Sequence, residues 1–285
     1  MAGWVFDEWR GGQFYPAGLK QKDELVYASR QVGAIEINAT FYSNQKAKSF
    51  ESWARQTPPD FMFTVKGPQL VTHIRKLKDV ELPLANFFAS GILALGARLG
   101  PICWQLPGNL SFTPERIEGF LKLLPHTAEA AAKLAAQHDE RIAEPFLNTE
   151  GIGVVRHAIE VRHKSFADPA FIALLRARNV ALVVADTADW PYYDQTADFT
   201  YCRLQGAPGS DRYTAEELDG WATRFSALSA GKPLVGGTFV EPMAAKQPAR
   251  DVFGFFVSTD KPNAPRNALG IMQRLGLLAA GGGTP

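Results

Sequence analysis

Residues 34–42, AIEINATFY, combine a strand pattern with side chains that could do chemistry. As a strand, the stretch would put Ile35 and Ile37 on one face and Glu36 and Asn38 on the other. A buried carboxylate beside an amide is unfavourable unless partners are supplied, so this face indicates a functional site. Glu36 would act as a general base or acid while Asn38 orients a ligand. An edge strand with a solvated face is the structural alternative.

Polar side chains also end most of the other predicted strands. Glu160 and Arg162 share a face by the two-residue period, as do Tyr201 and Arg203. In a (β/α)8 barrel the chemistry sits at the carboxyl ends of the strands, so these groups would meet. The predicted catalytic residues are Glu36, Glu160 and His73, and the predicted substrate-binding residues are Asn38, Tyr42, Lys66, Gln105, Arg162, Asp186, Tyr201 and Arg203.

These residue types indicate an enzyme that acts on a small polar, anionic or sugar-like substrate. Guanidinium groups match the geometry of carboxylates and phosphates, so Arg162 and Arg203, with Lys66, would hold an anion. Glu36 or Glu160 would then serve as acid or base in a hydrolysis or an isomerisation. The structural alternative is a set of ion pairs across a barrel, Lys66 with Glu36 or Arg203 with Glu160.

Two further classes of site stay open. Carboxylates and a histidine are the ligands of sugar-isomerase-like metal sites, but three cations at the same rim would repel a divalent ion, so we predict no metal and no cofactor. A non-catalytic protein could instead bind nucleic acid or a protein partner through rim aromatics and cations, although a near-zero net charge argues against nucleic acid. That rim would comprise Trp4, Trp9, Tyr42, Lys66, Arg75, Lys76 and Lys78.

Composition favours a globular protein with no bulk attraction to nucleic acid or to an anionic membrane. The 285 residues are 46% hydrophobic, and 30 basic against 29 acidic side chains leave a net charge of +1. No apolar run reaches the length of a membrane span and the start lacks the features of a signal peptide, so we expect a cytoplasmic protein. Cys103 and Cys202 fall in predicted strands, which predicts reduced, buried thiols.

The order of elements predicts an α/β fold, a closed parallel (β/α)8 TIM barrel forming a single domain over 1–285. Its strands are expected at 3–4, 34–38, 61–66, 102–106, 156–162, 181–186, 199–204 and 252–257. Helices are expected at 21–31, 47–55, 84–99, 128–142, 169–178, 215–228 and 266–275, with another opening at 113. Residues 126–153 would form a helical insertion before the fifth strand, with solvated histidines at 126 and 138, and 279–285 a flexible tail. An open doubly wound sheet competes, but no Gly-x-Gly-x-x-Gly turn follows any strand.

Motifs spread over nearly the whole chain are similar to those of one family. They are Gly3-Trp4, Trp9, Phe14-Tyr15-Pro16, the segment from Glu36 to Tyr42, Trp53, Thr57-Pro58, Phe61-x-Phe63-x-Val65-Lys66, Thr72-His73, Leu99-Gly100-Pro101, Gln105-Leu106-Pro107, Glu160-Val161-Arg162-His163, Asp186, Tyr201-x-Arg203-Leu204 and Ala264-Pro265-x-Asn267-Ala268. The chain thereby resembles the domain-of-unknown-function family 72. The resemblance implies a TIM barrel and supplies no activity.

The chain departs from the family pattern in three places. Only two residues precede Gly3-Trp4, so the resemblance implies either an abbreviated first strand or a native start upstream of Met1. The usual Arg-Leu-His-Gly is replaced by a segment with Gln205 in place of the histidine, so no histidine is required at that turn. Near the end, Asp260 is the one polar match that remains.

Overall fold

The strands of this chain lie parallel in two sheets. The computed structural model describes residues 1–187, 189–206, 213–232, 234, 236–242, 247–257 and 261–278. Within these ranges strands β1 to β8 are Ala34–Ile37, Met62–Lys66, Leu99–Gln105, His157–Glu160, Ala181–Leu182, Val184–Ala185, Phe199–Leu204 and Asp251–Phe256. One sheet has the order β1-β2-β3-β4-β5 and the other β6-β7-β8, with parallel pairing throughout. The predicted α/β class is confirmed.

Helices connect most of these strands. In the described residues α1 to α9 are Glu24–Gln31, Ala39–Tyr42, Ala47–Gln56, Glu81–Ala89, Pro114–Leu123, Ala128–Ala135, Pro169–Ala177, Ala215–Ser229 and Ala264–Arg274. Helix α8 starts at a capping box, in which the side chains of Thr214 and Glu217 each accept the other's backbone N–H. None of the described helices is both long and apolar enough to cross a membrane.

Two of the predicted strands, 3–4 and 181–186, are present only as short or interrupted segments. The first is a short segment beside β1, where the Glu36 amide donates to the Met1 carbonyl at 2.8 Å and the Gly3 amide donates to the Glu36 carbonyl at 2.9 Å. The predicted strand 181–186 is split at Val183, whose amide donates to the Ile159 carbonyl at 2.9 Å. As a result β5 pairs with β4 in one sheet, and β6 pairs with β7 in the other.

The predicted helix 84–99 is wrong in its second half. Helix α4 ends before Gly91, which has a φ of 136° and lies so close to helix α3 that a Cβ would be 2.4 Å from Ala47 Cα. Only glycine fits such an approach, and short 3-10 turns over Ile92–Arg98 replace the helix. The Gly100-Pro101 pair does not stop a helix but lies inside β3, where the pairing with β2 is irregular.

The segment 126–153 packs against the rest of the molecule. Helix α6 within it is shorter than predicted, and Asn86 and Asp139 join the segment to α4, since Asn86 Nδ2 donates to Asp139 Oδ1 at 3.0 Å and the Asp139 amide donates to Asn86 Oδ1 at 3.1 Å. His126 was expected to be solvated, yet its ring packs edge-on against His157 at 5.2 Å between centroids. The predicted tail, 279–285, and Asp260 lie outside the described residues.

The inner faces of the two sheets carry an apolar layer below a polar one. The apolar layer is Cys103, Ala158, Val183, Tyr201 and Phe255, all buried. The inward positions nearest the carboxyl ends of the strands are Glu36, Lys66, Gln105, Glu160 and Arg203. Both cysteines are free and buried, as predicted.

Candidate functional site

Arg203 on β7 joins two buried carboxylates from the other sheet. Its Nε and Nη2 donate to the Glu36 carboxylate at 3.1 and 2.9 Å, and its Nη1 donates to Glu160 Oε2. The three residues are 4%, 0% and 2% exposed, so water cannot solvate these charges. A planar guanidinium can serve two carboxylates at once, which a lysine ammonium does less well. The predicted pair of Arg203 with Glu160 is confirmed, whereas Glu36 is paired with Arg203 and not with Lys66.

Glu160 receives two further donors near the surface of the network. Gln105 Nε2 donates to Glu160 Oε1 at 2.7 Å, and Arg162 donates to the same oxygen through Nε at 3.1 Å and Nη2 at 3.0 Å. Burial raises the pKa of Glu160. The positive charges of Arg203 and then Arg162 outweigh burial and lower the pKa to about 2. Glu160 is therefore ionised at neutral pH.

Glu36 is held from below by neutral groups. The Tyr201 hydroxyl donates to Glu36 Oε2 at 2.7 Å and lies 2.9 Å from Thr64 Oγ1. Burial, and then the charge of Glu36, raise the pKa of Tyr201 well above its usual value of 10. Tyr201 thus remains a protonated donor. It lies beneath the network and does not reach the surface.

A cleft of about 360 Å³ opens above this network, at the carboxyl ends of the strands. It is lined by Ala2, Phe6, Asn38, Tyr42, Lys66, Gln105, Arg162, Arg203, Gln205 and Val257. The charged groups in this lining are three cations, and the neutral polar groups include three amides. Among the described residues that line the cleft there is no carboxylate, since Glu36 and Glu160 lie beneath Arg203.

Two groups in the lining have unused bonding capacity. Lys66 Nζ lies over the Phe41 ring, 4.1 Å from its centroid, and none of the carboxylates in the described residues is within 4.0 Å of it. Burial, and then the charge of Arg203, lower the pKa of Lys66 from its usual value. Asn38 Oδ1 is buried and accepts no hydrogen bond within the described part of the chain. Lys66 is therefore available to a ligand, whereas Asn38 Oδ1 is shielded from solvent.

His73, one of the predicted catalytic residues, does not line the cleft. Its Nδ1 lies 2.9 Å from Thr72 Oγ1, and its ring packs edge-on against Phe41 at 5.0 Å. Burial, and then the charge of Lys66, lower the pKa of His73, so its neutral form is favoured at neutral pH. Tyr42, by contrast, lies at the rim of the cleft and is 72% exposed.

Asp186 holds the turn that follows β7. Its Oδ1 accepts the Gln205 amide at 2.7 Å, its Oδ2 accepts the Gly206 amide at 3.1 Å, and the Tyr213 hydroxyl also donates to Oδ2. Through these hydrogen bonds the Asp186 carboxylate holds the backbone of the turn in place. Asp186 does not line the cleft, and its effect on a ligand would pass through Gln205.

Gln205 is the one polar residue of this lining that was left out of the predicted substrate-binding residues. It directly follows the carboxyl end of β7, two residues beyond the inward-facing position that Arg203 occupies. That position was a usable signal, because the turns after barrel strands supply site residues. Thr64, the partner of Tyr201, was missed because nothing in the sequence distinguishes it from any other threonine of a strand.

A larger cavity lies elsewhere and lacks these features. It measures about 520 Å³ and includes Asn179, Asp198 and Arg250, which precede β5, β7 and β8. It therefore lies at the amino ends of the strands, the end that contributes to stability in (β/α)8 barrels. None of the predicted site residues lines it.

Sequence comparison identifies the family of the chain. The family described as "Protein of unknown function DUF72" matches residues 1–282. The chain belongs to the DUF72 family. This result confirms the resemblance found in the sequence motifs, over nearly the full length.

Named relatives of this DUF72 protein match it over shorter stretches. YecE of Escherichia coli K12 is 27% identical over 121 residues, which cover 41% of this chain and 42% of YecE. YunF of Bacillus subtilis is 34% identical over 58 residues, covering 20% of this chain and 21% of YunF. The aligned stretches thus span less than half of each relative.

Solved structures of DUF72 proteins match the whole fold. A DUF72 protein of Thermotoga maritima is 25% identical with a TM-score of 0.70, and the match covers 96% of this chain and 97% of that one. A DUF72 protein of Enterococcus faecalis is 17% identical with a TM-score of 0.63, covering 89% and 88%. These descriptions name no substrate, so the function has to be argued from the cleft.

Proposed function

We propose that the cleft at the carboxyl ends of the strands binds a small anionic compound, phosphorylated or carboxylated, as the substrate of an enzyme. The observation that carries this proposal is the lining itself, with Lys66, Arg162 and Arg203 at its surface and the carboxylates beneath. The volume of about 360 Å³ suits a small molecule.

Charge counting supports an anion. Glu36 and Glu160 contribute two negative charges, and Arg162, Arg203 and Lys66 contribute three positive ones, so the cluster carries an excess of one positive charge. An anionic group on the ligand would complete the pairing in a site of low solvent content.

The ligand should also carry a hydrogen-bond donor. Asn38 Oδ1 is buried beside the cleft without a donor among the described residues, and buried acceptors are rarely left unpaired. With a rotation of the Asn38 side chain toward the cleft, a hydroxyl group on the ligand would supply that donor. A hydroxylated phosphate or carboxylate therefore fits better than a bare inorganic ion, in line with a sugar-like substrate.

We assign Glu36 and Glu160 to the positioning of Arg203. Glu160, whose pKa is about 2, is a weak base at neutral pH and carries no proton to give as an acid. The guanidinium also lies between the two glutamates and bonds to both, where a glycosidase would place the sugar. Hydrolysis or isomerisation by carboxylate acid/base chemistry remains a prediction. The position of Arg203 between the two glutamates argues against it.

Two alternatives have less support. For nucleic acid, a cleft of this size does not accommodate a strand, and Trp9, one of the proposed stacking residues, is 1% exposed. For a metal, the described residues contain no cluster of three histidines, cysteines or carboxylates suited to an ion. We therefore propose a site that works without a metal, and the cytoplasmic location stays a prediction.

We also propose that the two sheets are parts of one closed barrel. Tyr201 and Arg203 in one sheet bond to Glu36 in the other, and Val183 links the sheets through the backbone. The short first segment and the residue after β8 both line the cleft, through Ala2 and Val257. A barrel would explain why these carboxyl ends face a common space.

Calorimetric titration with inorganic phosphate tests the proposed site. Arg162 is 43% exposed, so Arg162→Met should fold, and losing its charged contact should weaken phosphate binding by about tenfold or more. Arg75→Met is the matched control, since Arg75 is exposed and does not line the cleft. Equal affinities for the two variants would refute the anion site.

A further inference from the structure

Lys66 differs from the other two cations of the cleft. Arg162 and Arg203 each bond to a glutamate, whereas Lys66 Nζ has only the Phe41 ring as a partner among the described residues. Lys66 is half-buried and lines the cleft. A lysine placed in a site without a carboxylate partner is available as a nucleophile.

The backbone around Lys66 is firmly held. The Thr40 hydroxyl donates to the Lys66 carbonyl at 2.7 Å. The next residue, Gly67, packs so closely on the Trp104 ring that a Cβ there would come within 2.2 Å of it. These contacts fix the carboxyl end of β2, so the stem of Lys66 starts from a rigid point, as a reacting group requires.

We propose that Lys66 Nζ forms an imine with a small aldehyde or ketone that carries a phosphate or carboxylate group. The inference rests on the proposed anion site, because Arg162 and Arg203 would hold the anionic end of the substrate. The neutral amine attacks the carbonyl carbon, a C=N bond replaces the C=O bond, and the oxygen leaves as water with the two amine protons. No oxidant, reductant or metal is needed for this step.

The surroundings of Lys66 favour the amine form that this step requires. Burial, and then the charge of Arg203, lower the pKa of Lys66, which raises the neutral fraction of its amine. The Phe41 ring acts in the opposite direction, because its face attracts the charged ammonium. A protonated imine at this position would withdraw electrons from the neighbouring carbon of the substrate, which is the usual entry to cleavage, isomerisation or dehydration beside a carbonyl.

Reductive trapping tests the proposal on the wild-type protein. Glycolaldehyde phosphate is added at neutral pH, sodium borohydride then delivers hydride to the imine carbon, and mass spectrometry locates the resulting secondary amine. We expect modification of Lys66 to exceed that of the exposed Lys46 and Lys48 by about tenfold or more. Glycolaldehyde, which lacks the anion, should show no such preference, and inorganic phosphate should suppress the labelling of Lys66.

Two other outcomes would separate the imine from the anion site. If phosphate binds by calorimetry while Lys66 is labelled no more than Lys46 and Lys48, the imine is refuted and the anion site stands. If phosphate neither binds nor suppresses labelling, the proposed function fails and the inference fails with it. In Arg162→Met we expect labelling of Lys66 by glycolaldehyde phosphate to fall about tenfold, while labelling by glycolaldehyde is retained; unchanged labelling by the phosphate ester would also overturn the proposal.

Discussion

Strands β3 and β4 carry two buried polar clusters on their opposite faces. The inner cluster joins Gln105 and Glu160 to Arg203 and opens to the cleft. On the outer face, Trp104 Nε1 donates to His157 Nδ1 at 3.1 Å, and His157 Nε2 donates to the Pro125 carbonyl at 2.7 Å. That outer cluster is enclosed between the sheet and the helices.

The difference between the clusters lies in charge. Burial lowers the pKa of His157 to about 3, so the outer cluster is neutral. Both ring nitrogens of His157 have a hydrogen-bond partner. The inner cluster keeps five ionised groups in and around a cleft, an arrangement that stability alone does not favour. Polar groups that only stabilise the fold can be neutral and closed, whereas the charge kept at the inner cluster indicates a ligand.

Removing the central cation should break the inner cluster and cause the largest loss. Arg203→Met would leave Glu36 and Glu160 buried without their shared partner, lowering the free energy of unfolding by about 3–5 kcal/mol in urea denaturation. The triple variant Arg203→Met, Glu36→Gln, Glu160→Gln is the control. It should recover much of that stability, because no carboxylate is then left buried without a partner; no recovery would contradict this account.

Acidification should test the outer cluster. The pKa of His157 is about 3 in the folded protein against 6.5 ordinarily, so between these values the unfolded chain binds the extra proton. This contribution to stability is therefore present above pH 6.5 and is lost as the pH falls toward 3, amounting to about 2 kcal/mol between pH 6.5 and 5. His157→Gln keeps one donor and one acceptor and should flatten that slope in unfolding measurements. An unchanged slope would exclude His157 as its source.

Disturbing the turn after β7 should affect the inner cluster less. Asp186→Ala removes the acceptor of the Gln205 and Gly206 amides, so we expect a loss of about 1–3 kcal/mol in stability. Phosphate affinity should fall by only a few-fold, since Gln205 is one of several groups in the lining. A loss of binding as large as that of Arg162→Met would mean that Asp186 acts on the ligand directly.

The smallest effect is expected at His73. His73→Phe keeps the edge-on packing against Phe41 and removes a ring that is neutral at neutral pH and lies outside the lining. Phosphate affinity should change by less than about twofold, equivalent to under about 0.5 kcal/mol. A larger change in a calorimetric titration would show that His73 contributes to phosphate binding.

Local and fold-level rules predicted from the sequence that these side chains share a cavity. They did not predict which cation pairs with which carboxylate. The two-residue period placed Glu36, Glu160 and Arg203 inward, and parallel strands placed their ends together. Which cation meets Glu36 depends on distances across the molecule, and there Arg203 was found in place of Lys66. The break at Gly91 had the same origin, because it depends on the approach of a helix distant in sequence.

Anomalous diffraction from crystals soaked in selenate would test the central claim most directly. Selenate is a tetrahedral dianion, like phosphate in shape, and its selenium can be located without bias. We predict a strong peak in the cleft, with selenate oxygens about 3 Å from nitrogens of Lys66, Arg162 or Arg203. Peaks confined to exposed cations such as Arg75, with the cleft free of selenate, would contradict the proposal that these strand ends form an anion site.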